Sequence, residues 1–245
     1  MNRTLFLRLN AVLVPALILL FVLVSVIARE GMQRTARDAA VQTARLIMAS
    51  AIAVREYTVE KVKPMIESKY SFSPLTVSSF AATQTLVKMR RQYPDFHYRE
   101  VALNPTNPLD LAQDWEVDIV RHFRDNPTET EFVSENEAFA GGTIVVARPL
   151  SVRNPGCLDC HSTPGRAPSE MTALYPAGGG FGWQLNEIVG AQIVTLPFIA
   201  GQATGPVLSS FSLILGVGLL VVLVLVNLVV HLFVARVGAT PARTR

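Results

Sequence analysis

The sequence predicts an α+β protein in which an antiparallel sheet with flanking helices lies between two transmembrane helices. Two long apolar runs, residues 11–28 and 207–234, lie near the ends of the 245-residue chain. Each run is long enough to cross the hydrocarbon core of a bilayer. Between them, helix-like and strand-like segments follow one another without the regular βαβ repeat of a parallel sheet. The intervening segment is large enough to form one domain with its own core.

The first apolar run, residues 11–28, contains no charged residue, and Pro15 lies in its first turns, where proline is best tolerated. About 18 residues at about 1.5 Å each just span a bilayer core. A cleaved signal peptide ending at Ala28 is the alternative, although the run exceeds the usual length of a signal h-region. Under either interpretation the following domain is exported.

Charge placement predicts the orientation of the chain. Residues 1–10 carry Arg3 and Arg8, and residues 235–245 carry three more arginines, without any acid. Residues 29–206 hold 17 basic and all 19 acidic residues. The positive-inside rule therefore places both termini in the cytoplasm, and the domain in the periplasm of a two-pass inner-membrane protein. Because the basic excess flanks the spans, nucleic-acid binding is not expected. His231 lies near the cytoplasmic end of the second span, where we expect the membrane–water interface to solvate it.

Residues 29–64 predict a long periplasmic helix, since they are rich in Ala, Arg, Glu and Gln and contain no proline before Pro64. Pro64 is expected to end this helix. Its alanine-rich face could pair with a second copy in a homodimer, or it could pack on its own domain. Both alternatives remain open at the level of sequence.

Residues 65–200 predict the remainder of the domain. Ser78 and Ser79 can cap a helix that runs to about Gln92. Asp110 can cap a second helix, closed by Asn126 and Pro127, whose apolar residues recur at every fourth position and predict one buried stripe. The stripe consists of Leu111, Trp115, Ile119 and Phe123. Strands are predicted at residues 96–103, 130–134, 142–152 and 190–198.

The segment Cys157-Leu158-Asp159-Cys160-His161 carries the most specific chemistry of the chain. A C-x-x-C-H run is typical of covalent c-type haem attachment. The two thiols at this spacing can form thioethers with the porphyrin vinyl groups, and the adjacent imidazole can ligate the iron. The sequence therefore predicts one covalent haem c on Cys157, Cys160 and His161.

Three other interpretations of this motif explain less. A structural zinc site needs four ligands, but the chain contains two cysteines and four histidines in all. A redox dithiol favours a βαβ setting, whereas the turn residues Asn154, Pro155 and Gly156 precede this motif. A structural disulfide would leave the position of His161 unexplained.

Four segments resemble the DUF3365, or c-type haem PAS-like, family of bacterial extracytoplasmic sensors. They are Ala102–Pro108, Ala147–Leu150, Asn154–Pro164 and Gly180–Val194. The resemblance spans nearly all of residues 29–200. It implies a PAS-like fold that carries covalent haem, with Cys157, Cys160 and His161 as the attachment residues. Many relatives continue into a linker and an output domain, whereas about ten residues follow the second span here, so a separate output partner is expected.

The ligand on the opposite side of the iron is less determined. His122, His97 and Met171 are weak candidates, and each has a structural role as its alternative. Further candidates are Met48, Met65, Met89, Tyr57 and Tyr175. Arg148, Arg153 and Arg166 could pair with haem propionates, since guanidinium binds carboxylate through two hydrogen bonds.

Two functions follow from these expectations. The favoured function is that of a redox or diatomic-gas sensor subunit that signals through a separate partner protein. The alternative is a membrane-tethered monohaem cytochrome that exchanges electrons with a redox partner. No nucleophile motif or phosphate-binding loop is recognisable, so catalytic activity is not expected.

Overall fold

The computed structural model describes residues 3–69, 72–136, 143–176, 178–198 and 200–238. Its α-helices, in chain order, are α1 Arg3–Tyr57, α2 Lys63–Glu67, α3 Ser78–Met89, α4 Asp114–Asp125, α5 Leu158–His161, α6 Ser169–Leu174 and α7 Ala200–Gly238. Its strands are β1 His97–Ala102, β2 Phe132–Asn136, β3 Thr143–Ser151 and β4 Ile188–Pro197.

The strands form one antiparallel sheet in the order β1-β4-β3-β2. Val194 of β4 lies opposite Tyr98 of β1 on one side and Val146 of β3 on the other. The predicted α+β class with an antiparallel sheet and flanking helices is therefore confirmed. Each of the four predicted strands overlaps an observed one, and the ends differ by a few residues.

One face of the sheet packs against α1 and α3. Because side chains alternate along a strand, Ile144 and Val146 face this side, while Val145 and Ala147 face the other. The buried residues that α1 and α3 contribute are Val41, Ala44, Ile47, Met48, Ala51, Ala82 and Leu86. The alanine-rich side of α1 thus packs on its own domain.

The opposite face of the sheet packs against α4. Ile119, Val120 and Phe123 of α4 are buried against Val101 of β1 and Ile193 of β4. The predicted apolar stripe is correct for Ile119 and Phe123, and Trp115 is partly buried against the same core.

The start of α4 differs from the prediction. Asp110 lies in a preceding 3-10 turn, and Gln113 caps α4 in a reciprocal capping box with Glu116. Leu111 was expected on the buried stripe but is 54% exposed. Its backbone pairs with Ala102 at the end of β1 instead of entering a helix, which moves the helix start by one turn. A non-local backbone contact therefore overrides the local capping signal.

Pro64 does not end the long helix. A π-helical turn at Thr58–Val62 connects α1 to α2, which begins at Lys63. The Lys63 N–H donates to the Thr58 carbonyl, so the wider turn completes a backbone hydrogen bond just before the proline. Proline is tolerated in a first helical turn because its missing N–H has no intrahelical partner there. Ser78 and Ser79 likewise begin α3 as helical residues, and Val77 occupies the capping position.

The chain divides into two compact units, residues 37–199 and residues 1–36 with 200–245. In the second of these, α1 and α7 each contain an apolar stretch that by length and composition alone could cross a membrane. Asn10 and Asn227 join these helices through reciprocal side-chain hydrogen bonds of 2.8 and 3.1 Å. Such amide pairs stabilise helix packing in an apolar environment.

Candidate haem-attachment site

The cysteine motif lies between the end of β3 and the start of β4. The Asn154 side chain accepts a hydrogen bond of 2.9 Å from the Gly156 N–H and starts a 3-10 turn, which leads directly into the short helix α5. Residues three and four positions apart lie on the same side of a helix. Cys157, the N-cap of α5, therefore shares one face with Cys160 and His161, directly after the turn that the sequence predicts.

The imidazole of His161 is oriented by a backbone carbonyl. Nδ1 donates a hydrogen bond of 2.8 Å to the Gly180 oxygen, so Nε2 is the nitrogen left to ligate a metal. Burial lowers the pKa of His161, and the Gly180 carbonyl partly opposes this effect. A neutral imidazole with a fixed tautomer is the form that binds iron.

Trp183 forms a second restraint on the same ring. Its indole stacks on the His161 imidazole, with ring centroids 4.0 Å apart and planes 12° from parallel. The backbone N–H of Trp183 also donates to the His161 carbonyl at 3.2 Å, and the backbone N–H of Gly182 donates to the Ser162 carbonyl at 2.9 Å. The segment Gly180–Trp183 therefore runs alongside the end of α5 and is joined to it by these backbone hydrogen bonds.

Glycines allow this segment to approach the chain that follows β1. A Cβ atom on Gly179 would overlap the Asn104 side chain, and one on Gly180 would overlap the Thr106 hydroxyl. Gly180 also has a φ of +78°, in the left-handed region that favours glycine. Gly180 and Trp183 were not predicted as site residues, although both lie in a segment that carries the family resemblance.

The thiols of Cys157 and Cys160 are both partly buried and are not joined to each other. Burial raises the pKa of the Cys160 thiol, and the Lys63 ammonium partly opposes this effect. Lys63 and Glu67 of α2, whose charged groups lie 3.8 Å apart, are thus close enough to act on this thiol electrostatically. The sequence missed these two neighbours because α2 is remote from the motif along the chain.

The two weak histidine candidates for the second axial position are engaged elsewhere. His122 lies on α4, with its Nε2 at 2.8 Å from the Glu129 carboxylate and its ring against Phe132. His97, exposed at the start of β1, lies 3.1 Å from the Arg90 guanidinium through Nε2. Partial desolvation of the ring and the charge of Arg90 lower the pKa of His97.

The methionine and tyrosine candidates fall into two groups. Met48 belongs to the core between α1 and the sheet, Met89 packs against that core, and Met171 is buried in α6. Met65 and Tyr57 are 74% and 64% exposed, and Tyr175 is half-buried. Met171, buried in the helix that follows the motif, stays a prediction as second ligand.

The three arginines differ in their availability. Arg148 donates two hydrogen bonds to Glu131, of 3.2 and 2.9 Å, and is therefore committed to the sheet. Arg166 lies 3.7 Å from Asp159 in an exposed ion pair. Arg153 is exposed. Arg153 and Arg166 remain candidates for propionate pairing.

The donor set fits a covalent haem. Two unjoined thiols precede an imidazole whose Nδ1 is already engaged, and the three residues lie within about one turn, from the N-cap of α5 to its last residue. Together with the four-stranded sheet, these residues define the class of the protein as a small α+β domain with a Cys-x-x-Cys-His motif between β3 and β4.

A model of the Tll0287-like family matches residues 33–197, so this chain belongs to that family, DUF3365. The crystal structure of the cyanobacterial haem protein Tll0287 is similar, with a TM-score of 0.48 and 19% sequence identity. That match covers 61% of this chain and 92% of the other. No curated protein matches this sequence.

Proposed function

We propose that this chain is a membrane-anchored periplasmic protein with one covalent haem c, which acts as a redox or diatomic-gas sensor subunit of PAS-like fold. The observation that carries the proposal is the His161 imidazole, which directly follows the second cysteine and is held through Nδ1 by the Gly180 carbonyl. Family membership supports haem binding, because the related Tll0287 is a haem protein.

The residues of the motif have distinct roles in this proposal. Cys157 and Cys160 would hold a haem through thioether bonds to its two vinyl groups, and Nε2 of His161 would ligate its iron. The Gly180 carbonyl keeps the proton on Nδ1. When bound, the haem supplies an iron centre that changes oxidation state and binds small ligands.

The membrane anchors are the apolar stretches of α1 and α7. The basic residues that flank them favour cytoplasmic termini and a periplasmic site. The helix α1 continues from its apolar stretch into the domain, and α7 follows β4 directly along the chain. These two covalent connections support a sensor that passes its state to a separate cytoplasmic partner.

Optical spectroscopy of the full chain tests the sensor function. The protein is produced in a host with c-type haem maturation, reduced, and then exposed to carbon monoxide or nitric oxide. We expect a shift of the ferrous Soret band, because a gas sensor requires an open or weakly held sixth position. A spectrum that stays unchanged with both gases would contradict gas sensing and favour the tethered electron-transfer cytochrome.

The cysteine variants supply the control for this experiment. Cys157→Ala with Cys160→Ala should bind no haem covalently and should give no gas-dependent spectrum. His122→Ala is a matched histidine control, because His122 pairs with Glu129 rather than lying in the motif. Its spectrum, with and without gas, should match that of the wild-type protein.

A further inference from the structure

We infer that Trp183 is a positioning residue for the haem iron, which lowers the midpoint potential by stacking on the proximal imidazole. This inference rests on the proposed function, since it requires haem on His161. It goes further by assigning to one side chain outside the motif the regulation of the redox state that the sensor reports.

The geometry gives Trp183 a role that the carbonyl of Gly180 cannot fulfil alone. A hydrogen bond to Nδ1 fixes one direction of the ring but leaves the imidazole free to tilt about that direction. The indole lies 4.0 Å away and only 12° from parallel, so it restrains the plane of the ring. The two restraints together determine the orientation in which Nε2 meets the iron.

The backbone reinforces this arrangement. The Trp183 N–H donates to the carbonyl of His161 itself at 3.2 Å, so the two stacked residues are also joined along the main chain. The segment leads on to β4, and the carbonyl of Glu187, just before β4, accepts a hydrogen bond of 2.9 Å from the Val152 N–H. A change in the imidazole would therefore act first on the connection between the motif and β4.

The electronic effect of the stack has a definite sign. The face of an indole is electron-rich and attracts positive charge. Ferric haem carries one more positive charge than ferrous haem, and its ligated imidazole shares part of that charge. The Trp183 face therefore stabilises the ferric state more than the ferrous state, which lowers the midpoint potential. Removal of the aromatic face should raise it.

Fluorinated tryptophan tests this inference without a change in side-chain volume. The chain contains two tryptophans, so Trp115→Phe leaves Trp183 as the only labelled position. Fluorine withdraws electron density from the indole face. We expect the midpoint potential, measured by spectroelectrochemical titration of the full chain, to rise progressively with the number of fluorine atoms. An unchanged potential across the series would overturn the inference.

Substitutions give a second and independent readout. Trp183→Leu should raise the midpoint potential and alter the ferric electron paramagnetic resonance g values, whereas Trp183→Phe should shift both less because it keeps an aromatic face. If Trp183 served only as an apolar filler, both variants would retain the wild-type values. Haem that stays attached after denaturation shows that the covalent haem of the proposed function holds even when this inference fails. Wild-type protein without attached haem overturns the proposed function itself.

Discussion

The imidazole of His161 is oriented by a carbonyl that lies 19 residues further along the chain. This contact depends on Gly180, whose φ of +78° turns the carbonyl toward the ring and whose missing side chain leaves room for Thr106. A buried imidazole N–H without an acceptor would cost about 1–3 kcal/mol. The glycine therefore contributes to the site although it has no functional group of its own.

Replacement of Gly180 by Ala should destabilise the fold and displace this carbonyl. The positive φ costs about 1–2 kcal/mol for a residue with a Cβ atom, and overlap with Thr106 adds to it. Urea denaturation measures the loss. Gly182→Ala is the matched control, because Gly182 has a φ of +81° but open space around its Cβ position.

We expect the free energy of unfolding to fall by about 1–3 kcal/mol more in Gly180→Ala than in the control. Only at position 180 does a Cβ atom overlap a neighbour and displace a hydrogen-bonding carbonyl. Equal stabilities of the two variants would contradict the structural role of the Gly180 contact.

At the scale of elements, charged side chains fasten α1 to the sheet. Glu131, just before β2, accepts hydrogen bonds from Arg45 of α1 at 2.6 Å and from Arg148 of β3 at 2.9 Å. Near the end of α1, Arg55 pairs with Glu100 of β1, which also accepts from the Tyr98 hydroxyl at 2.6 Å. These contacts hold α1 against the sheet at two places. The second lies close to the turn that leads to α2.

The Glu131 contacts predict a dependence of stability on acidity. The hydrogen bond from Arg45 lowers the pKa of Glu131 below its ordinary value of 4.5; burial opposes this effect, and Arg148 adds to it. The folded protein therefore holds this carboxylate ionised where the unfolded chain binds a proton. Its stabilisation is present above about pH 4.5 and is lost as the pH falls through the lower folded value.

Glu131→Gln should reduce the free energy of unfolding at neutral pH by about 1 kcal/mol after allowance for solvent screening. It should also flatten the loss of stability below about pH 4.5. Thermal unfolding followed by circular dichroism across this pH range measures both effects. Glu135→Gln, which removes an exposed ion pair with Arg37, should have a smaller effect, and equal pH profiles for the two variants would refute the assignment.

At the scale of the whole molecule, local patterns predict the architecture better than they predict the site. The strand-like segments at residues 142–152 and 190–198 and the apolar runs predict the sheet and the two long helices, because these signals lie within each segment. The π-helical turn before Pro64 and the start of α4 after Leu111 depend on backbone contacts that short-range signals do not contain.

The site divides in the same way. Cys157, Cys160 and His161 are adjacent in sequence, so their spacing alone predicts a cofactor. Gly180 and Trp183 reach the imidazole only after the chain has folded back from α6, and the charged groups of α2 reach Cys160 from a distant helix. A spacing rule within one segment cannot reveal such long-range neighbours.

Covalent haem at the cysteine motif is the property on which the proposed function most directly depends. The measurement is the intact mass of the denatured full chain, produced with c-type haem maturation, with peptide mapping of the segment that contains Cys157 and Cys160. We expect the wild-type mass to exceed that of the polypeptide by one haem, located on this segment, and the double variant Cys157→Ala with Cys160→Ala to show the polypeptide mass alone. A wild-type chain that retains no haem after denaturation would contradict the account.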